Sequence, residues 1–288
     1  MIKGKSSYPF ETIALAVAFS PRLEALIAET KRLSELFGAK TVFIHAGKRT
    51  SVKEKQLNSY LLNSGFNDSN CIVHWQDGNA VDTILAVCKK HVVDLLLIGA
   101  LEKENMLKYY IGSISREISR RAKCSVMMIT DPKINPEPFK NIVVNGHDHS
   151  KTIHTIQTAL YFAEKESVNE IMIVDELEVP AMSMSIADPV DEPQAMKIQS
   201  HFEYEEKSKL TSLMKSIDNR NIQLKLKTIS ARSGDTIGQF TQSVKADLLV
   251  VNSPDHHLTI FDRIFSHDLE YVLADMPCTM LIVHSRVF

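Results

Sequence analysis

The sequence predicts an α/β protein made of two tandem copies of one parallel-sheet unit. Three observations carry this reading. Short apolar runs alternate with helix-patterned segments along the 288 residues. The order of those segments repeats after a proline-rich break. A long loop follows one apolar run and opens a helix on Gly-Ser in the first copy. Strands alternating with helices of this length imply right-handed βαβ crossovers and so a parallel sheet. Pro132, Pro136 and Pro138 fall within eight residues, where neither a helix nor a strand can continue. The domains are therefore read as 1–131 and 139–288, joined by a linker at 132–138.

Thr12 to Phe19 is almost wholly apolar, as a strand buried on both faces should be. Ser20-Pro21 is expected to open a helix, with Ser as cap and Pro in the first turn. Leu23, Leu26, Ile27, Leu33 and Leu36 then recur at helical spacing, and Gly38 closes the helix. Lys40 to Ala46 is a strand, Val52 to Leu62 a helix, and Cys71 to Trp75 a strand. Gly78 begins a helix carrying Val81, Ile84, Leu85 and Val87. Asp94 to Gly99 is the fourth strand, Gly112 to Ala122 the fourth helix, and Ser125 to Thr130 the fifth strand.

The same order then returns. Asn141 to Gly146 is a strand, Ser150 to Glu164 a helix and Glu170 to Asp175 a strand. Lys197 to Ile217 has a long helical pattern, and Ile222 to Ile229 is a strand. Gly234-Asp235-Thr236-Ile237 matches Gly78-Asn79-Ala80-Val81, Asp247 to Asn252 matches Asp94 to Gly99, and Cys278 to Val283 matches Cys124 to Ile129. Each copy is about 140 residues long, and the second carries an insertion at Glu176 to Ala195 that reads as a surface loop.

Composition narrows the function. Net charge is −2 with no Lys/Arg stripe, which argues against nucleic acid as partner. No apolar stretch approaches the ~20 residues needed to span a bilayer, and the start lacks a signal-peptide core, so neither membrane nor leader is expected. Cys71, Cys88, Cys124 and Cys278 are scattered without paired spacing, which fits a reducing cytoplasm. No Walker loop, Gly-x-Ser-x-Gly elbow or paired metal histidines on a helix occur, so no enzyme is expected, with slow ATP hydrolysis left open.

The loop Gly99-x2-Glu102-x9-Gly112-Ser113 resembles the nucleotide loop of the universal stress protein family, whose pattern is Gly, two residues, Gly, nine residues, Gly, then Ser or Thr. The resemblance runs over nearly the whole chain as a tandem pair. It implies, for each domain, a doubly wound five-stranded parallel sheet of order 3-2-1-4-5 with helices on both faces, of the adenine nucleotide alpha hydrolase-like type. It implies ATP or AMP as the candidate cofactor in the first domain, at the switch point beyond strands 1 and 4. The positions in question are Ala18, Gly99, Glu102, Gly112, Ser113, Ile114 and Ser115. It also implies pairing of the two fifth strands within the chain, which would cover two apolar edges. A homodimer stays open, and protein partners are expected without being named.

Two departures bear on affinity. Ala18 stands where the family has Asp; losing a hydrogen bond to a charged acceptor costs about 1.5–3 kcal/mol, ten- to a hundredfold in binding. Glu102 replaces the middle glycine, and a carboxylate ~4 Å from a phosphate costs roughly 1–4 kcal/mol. Lys103 or Lys108 offsets part of this, and the helix N-terminus contributes about 0.3–2 kcal/mol. The sum points to weak or lost ATP binding. In the second copy Asn252, Asp255 and Phe265 replace all three glycines, and Phe261, Ile264 and Phe265 read as an apolar plug. The chain thus reads as a stress-response binding or signalling protein. One alternative is a nucleotide sensor using the first domain only. The other is a small-ligand or metal binder at the second site, where His147, Asp148, His149, His256 and His257 follow adjacent strands. Asp94 and Asp247 read as strand-entry groups, Trp75 as packed on a helix, and His45 as a core or rim residue near the expected adenine position.

Overall fold

The structure, a computed structural model, describes residues 8–67, 69–102, 109–110, 112–147, 149–177, 208, 210–230, 237–253 and 272–284. Outside these lie Lys103, Lys108, Asp148, His256 and His257, the 261–266 plug, and most of both the 176–195 insertion and the 197–217 helix. The Glu102 side chain is also outside.

The first half runs β1 (Thr12–Ala16), α1 (Leu23–Phe37), β2 (Lys40–Ala46), α2 (Ser51–Asn63), β3 (Cys71–Gln76), α3 (Ala80–Lys90) and β4 (Leu95–Gly99). Two short strands, β5 (Leu101–Glu102) and β6 (Tyr109–Tyr110), precede α4 (Ser113–Arg121) and β7 (Ser125–Ile129). The second half runs β8 (Ile142–Asn145), α5 (Thr152–Lys165), β9 (Glu170–Leu177), β10 (Gln223–Ser230), α6 (Ile237–Ser243), β11 (Leu248–Asn252) and β12 (Thr279–Val283).

Ten strands form one sheet in the order β10-β9-β8-β11-β12-β7-β4-β1-β2-β3. Every pair is parallel except β12 with β7, where Met280, Leu281 and Ile282 face Met128, Met127 and Val126. All five residues of β7 and of β12 are buried, as apolar strands at the centre of a parallel sheet must be. An apolar cluster covers each face and crosses the junction. One holds Leu26, Leu57, Leu97, Ile156 and Leu281, and the other Val87, Leu96, Ile118, Leu249 and Met280. α1 is further tied to the second half by Arg32, 2.7 Å from both Glu29 and Glu166, and by Phe37 against Tyr161 and Phe162.

Local chemistry sets the element ends. Gly38 takes a left-handed φ of 64° and closes α1, and Thr50 and Asn79 cap α2 and α3 through their side chains. The expected Ser20 cap is corrected. α1 begins at Leu23 after Arg22, with no side-chain cap, because the Ser20 carbonyl rather than its hydroxyl accepts the Leu23 N–H. Asp94 and Asp247 enter their strands in the same way. Each accepts two backbone N–H groups of the neighbouring first strand, from Glu11 and Thr12 in one half and Lys140 and Asn141 in the other, at 2.8 and 2.9 Å.

Candidate functional site

The carboxyl ends of β1 and β4 lie side by side, and the loop and α4 rise from β4. This is the switch-point crevice of a doubly wound sheet. Ala18, two residues beyond β1, is exposed and offers no side-chain acceptor. A Cβ at Gly99 would come 2.8 Å from the Leu26 side chain, so this glycine lets α1 sit tightly against the end of β4. A Cβ at Gly112 would come 2.9 Å from the end of Leu101, a half-exposed and yielding side chain. Gly112 leads α4 without a side-chain cap, with Ser113 and Ile114 exposed and Ser115 partly so. The first turn of α4 thus presents backbone N–H groups and two hydroxyls to an anion.

A residue not singled out from sequence dominates the far side of this crevice. Arg22 donates from Nη1 to the Thr130 carbonyl at 2.7 Å and from Nη2 to the Ala100 carbonyl, and its guanidinium lies 5.6 Å from the Tyr109 ring. It therefore links the ends of β4 and β7 to the loop. The Tyr109 carbonyl accepts the Met276 N–H at 3.0 Å, which fastens the loop to the second half.

The second repeat shows how the same place is closed. Asp94 N–H bonds the Thr12 carbonyl and Asp247 N–H the Asn141 carbonyl, so Thr12 corresponds to Asn141 and Leu95 to Leu248. By that register Gly99 corresponds to Asn252, Ala100 to Ser253, Ala18 to His147 and Arg22 to Lys151. Asn252 receives a hydrogen bond from Thr155 and donates to Thr152 Oγ1 at 3.1 Å. Lys151 donates to the Ser253 carbonyl at 3.1 Å and hydroxyl at 3.3 Å. Where Leu26 packs over Gly99 in the first repeat, the second places the Asn252 side chain, hydrogen-bonded to α5. The matching cations became visible only once the strands set the register.

Of the four candidate metal histidines, two are described. His149 Nδ1 accepts the Lys151 N–H at 3.1 Å and so serves the start of α5, while the His147 carbonyl accepts from Thr152. Among the described residues no three His, Cys, Asp or Glu side chains are grouped to hold an ion. His45 is buried and donates from Nδ1 to the Val17 carbonyl at 2.9 Å, leaving Nε2 3.5 Å from Lys53 Nζ. Trp75 stacks on Phe19 and meets the edge of His45, an aromatic shelf at the ends of β1, β2 and β3. Contact with Cys88 and burial push the Cys124 thiol well up, and burial pushes Cys278 up to about 12, so neither acts as a nucleophile. A cavity of about 660 Å³ lies beneath the linker, lined by Tyr109, Asp131, Phe139 and Asp275 among others.

The class of protein is set by this geometry. It is a tandem doubly wound α/β protein of the adenine nucleotide alpha hydrolase-like fold, with glycine at the end of the fourth strand in one half and a hydrogen-bonded asparagine in the other. Residues 47–130 match the model of the Universal stress protein family. A Pseudomonas aeruginosa UCBPP-PA14 protein described as a universal stress protein shares this fold at 13% identity and TM-score 0.67, over 96% of this chain and 94% of its own. A universal stress protein from Archaeoglobus fulgidus DSM 4304 does so at 10% identity and TM-score 0.65, over 97% and 100%. The cytoplasmic domain of a prokaryotic cation chloride cotransporter also aligns, at 10% identity and TM-score 0.51, over 96% of both chains. At such identities the likeness is one of fold. No curated protein sequence matches. Among the described residues no helix is long and apolar enough to cross a membrane.

Proposed function

We propose that the chain is a stress-response binding and signalling protein rather than a catalyst, and that nucleotide binds weakly and only in the first repeat. One observation carries this reading: the two switch points have diverged. In the second, Asn252 is hydrogen-bonded to Thr152 and Thr155, and Lys151 to Ser253. The first keeps Gly99, Gly112 and an uncapped α4, and lacks an acceptor at Ala18. A metal or small ligand in the second crevice would have to displace that network. Four free thiols, three of them buried, fit a reducing compartment, and we place the protein in the cytoplasm.

Calorimetry with ATP and Mg²⁺ tests the reading. The expected result is weak binding by the natural chain and a gain of ten- to a hundredfold in Ala18→Asp, the value of about 1.5–3 kcal/mol for a charge-assisted hydrogen bond. Micromolar binding by the natural chain, abolished by Ser113→Ala, would favour the nucleotide-sensor alternative. Binding that survives Ser113→Ala and disappears in Asn252→Ala would place the ligand in the second repeat and refute both.

A further inference from the structure

His74 on β3 and His91 at the C-terminal end of α3 meet at the outer edge of the sheet. Their Nε2 atoms are 2.7 Å apart, their ring centroids 4.7 Å apart and their planes inclined at 64°. Both rings are half-buried, and β3 is the last strand of its sheet, so solvent ions reach the pair. Each Nε2 has a single in-plane direction for a proton or a lone pair, and at 2.7 Å the two nitrogens are within reach of one shared proton or one ion. A contact of this kind holds one shared proton, and a metal ion seated to the side of the line between the two nitrogens can replace it.

The spacing bears on the angle at which two such ligands would meet an ion. With metal–nitrogen bonds of about 2.0 Å, two nitrogens sit roughly 2.8 Å apart at a right angle, roughly 3.3 Å apart in a tetrahedron and roughly 4 Å apart on a line. The observed 2.7 Å fits the right angle, the arrangement of adjacent equatorial ligands in a tetragonal complex. Among the described residues no third His, Cys, Asp or Glu joins the pair. The ion must therefore bind firmly through two imidazoles and water, which favours the top of the divalent affinity order. Lys89 and Lys90, in the last turn of α3, add positive charge that disfavours ions gaining little from nitrogen ligands, such as Mg²⁺ and Ca²⁺.

We infer that His74 and His91 form a two-imidazole site for copper(II), separate from both switch-point crevices and independent of nucleotide binding. On binding, the shared proton moves from Nε2 to Nδ1 of the same ring. Both imidazoles stay neutral, each gives its Nε2 lone pair to the ion, and water fills the remaining equatorial positions. The scaffold holds the two ligands in place: β2 pairs with β3 along its length, and Val81, Ile84 and Val87 anchor α3 to the sheet.

The test is titration of the full chain with copper(II) alone in a weakly coordinating buffer, followed by electron paramagnetic resonance and by competition with glycine. The expected result is an ion whose spectrum shows two equatorial nitrogens, weakened at least tenfold in His74→Ala and equally in His91→Ala. Zinc(II) is expected to compete at least tenfold less well. A spectrum and affinity unchanged in either variant overturn the site, as does a loss in only one of them. Circular dichroism checks that the variants are folded. Should an Ala variant unfold, His74→Gln and His91→Gln replace it under the same criteria.

Discussion

Replacing Arg22 with Met is expected to loosen the junction of β4, β7 and the loop, by an amount its contacts define. The guanidinium donates to the Thr130 carbonyl at 2.7 Å and to the Ala100 carbonyl, and lies 5.6 Å from the Tyr109 ring. A hydrogen bond from a charged donor contributes about 1.5–3 kcal/mol. Arg22 is only half-buried, so water takes up part of the loss and the low end applies to each. The ring contact adds about 0.5–1 kcal/mol. Met keeps most of the aliphatic packing, so the net cost is about 3.5–4 kcal/mol. For a domain-sized cooperative unit that lowers the melting temperature by roughly 7–16 °C. Lys151→Met removes one longer pair of contacts to a single residue and is expected to cost about 1–2 kcal/mol. Urea unfolding of both variants gives the comparison, and hydrogen exchange at residues 100–102 localises the first. A change under about 0.5 kcal/mol in Arg22→Met, or a larger cost for Lys151→Met, would refute the assignment.

Asp94→Ala leaves two N–H groups without their acceptor in a buried place and is expected to cost about 2–4 kcal/mol. Asp247→Ala, at a more exposed site, is expected to cost less in the same urea experiment. Gly38→Ala places a Cβ on a left-handed residue with open space around it, so backbone strain alone should cost about 1 kcal/mol. Burial pushes the Glu29 carboxyl up, against the opposing pull of Arg32. The folded chain then holds this proton more firmly than the unfolded one, so its contribution to stability falls as pH rises from the ordinary carboxylate range through the raised value. Glu29→Gln should flatten that slope in unfolding measured across the range, while Arg32 keeps Glu166. A slope unchanged in the variant would show that another group carries it.

Much of the fold was legible in the chain. The alternation of apolar runs with 3.6-residue patterns marks the α/β class because burial on two faces and on one stripe are local demands that each segment answers itself. Gly38 and the two Asp residues before strands announce their roles because a left-handed cap and a strand-entry acceptor require those residue types. The start of α1 was misplaced because Ser20-Pro21 satisfies a local capping rule, whereas the turn there is set by the Ser20 carbonyl. The ring contacts of Trp75 with Phe19 and His45 are not legible in the sequence because these partners come from two other strand ends.

By itself, the sequence determined the class of sheet, the repeat and the loop spacing, all of which follow from short-range pattern. Tertiary structure alone decided which side chains meet at each crevice. Arg22 meets Ala100 and Thr130 across 78 and 108 residues of chain, and Asn252 meets Thr155 across 97. It also brought His74 to His91 with their nitrogens facing, a matter of side-chain direction at the edge of a sheet rather than of spacing. Gly99 shows the division at a single residue. Its place in the loop pattern is plain from sequence, but its role in seating Leu26 appears only once α1 is laid against β4, because a glycine's use depends on what approaches the missing Cβ.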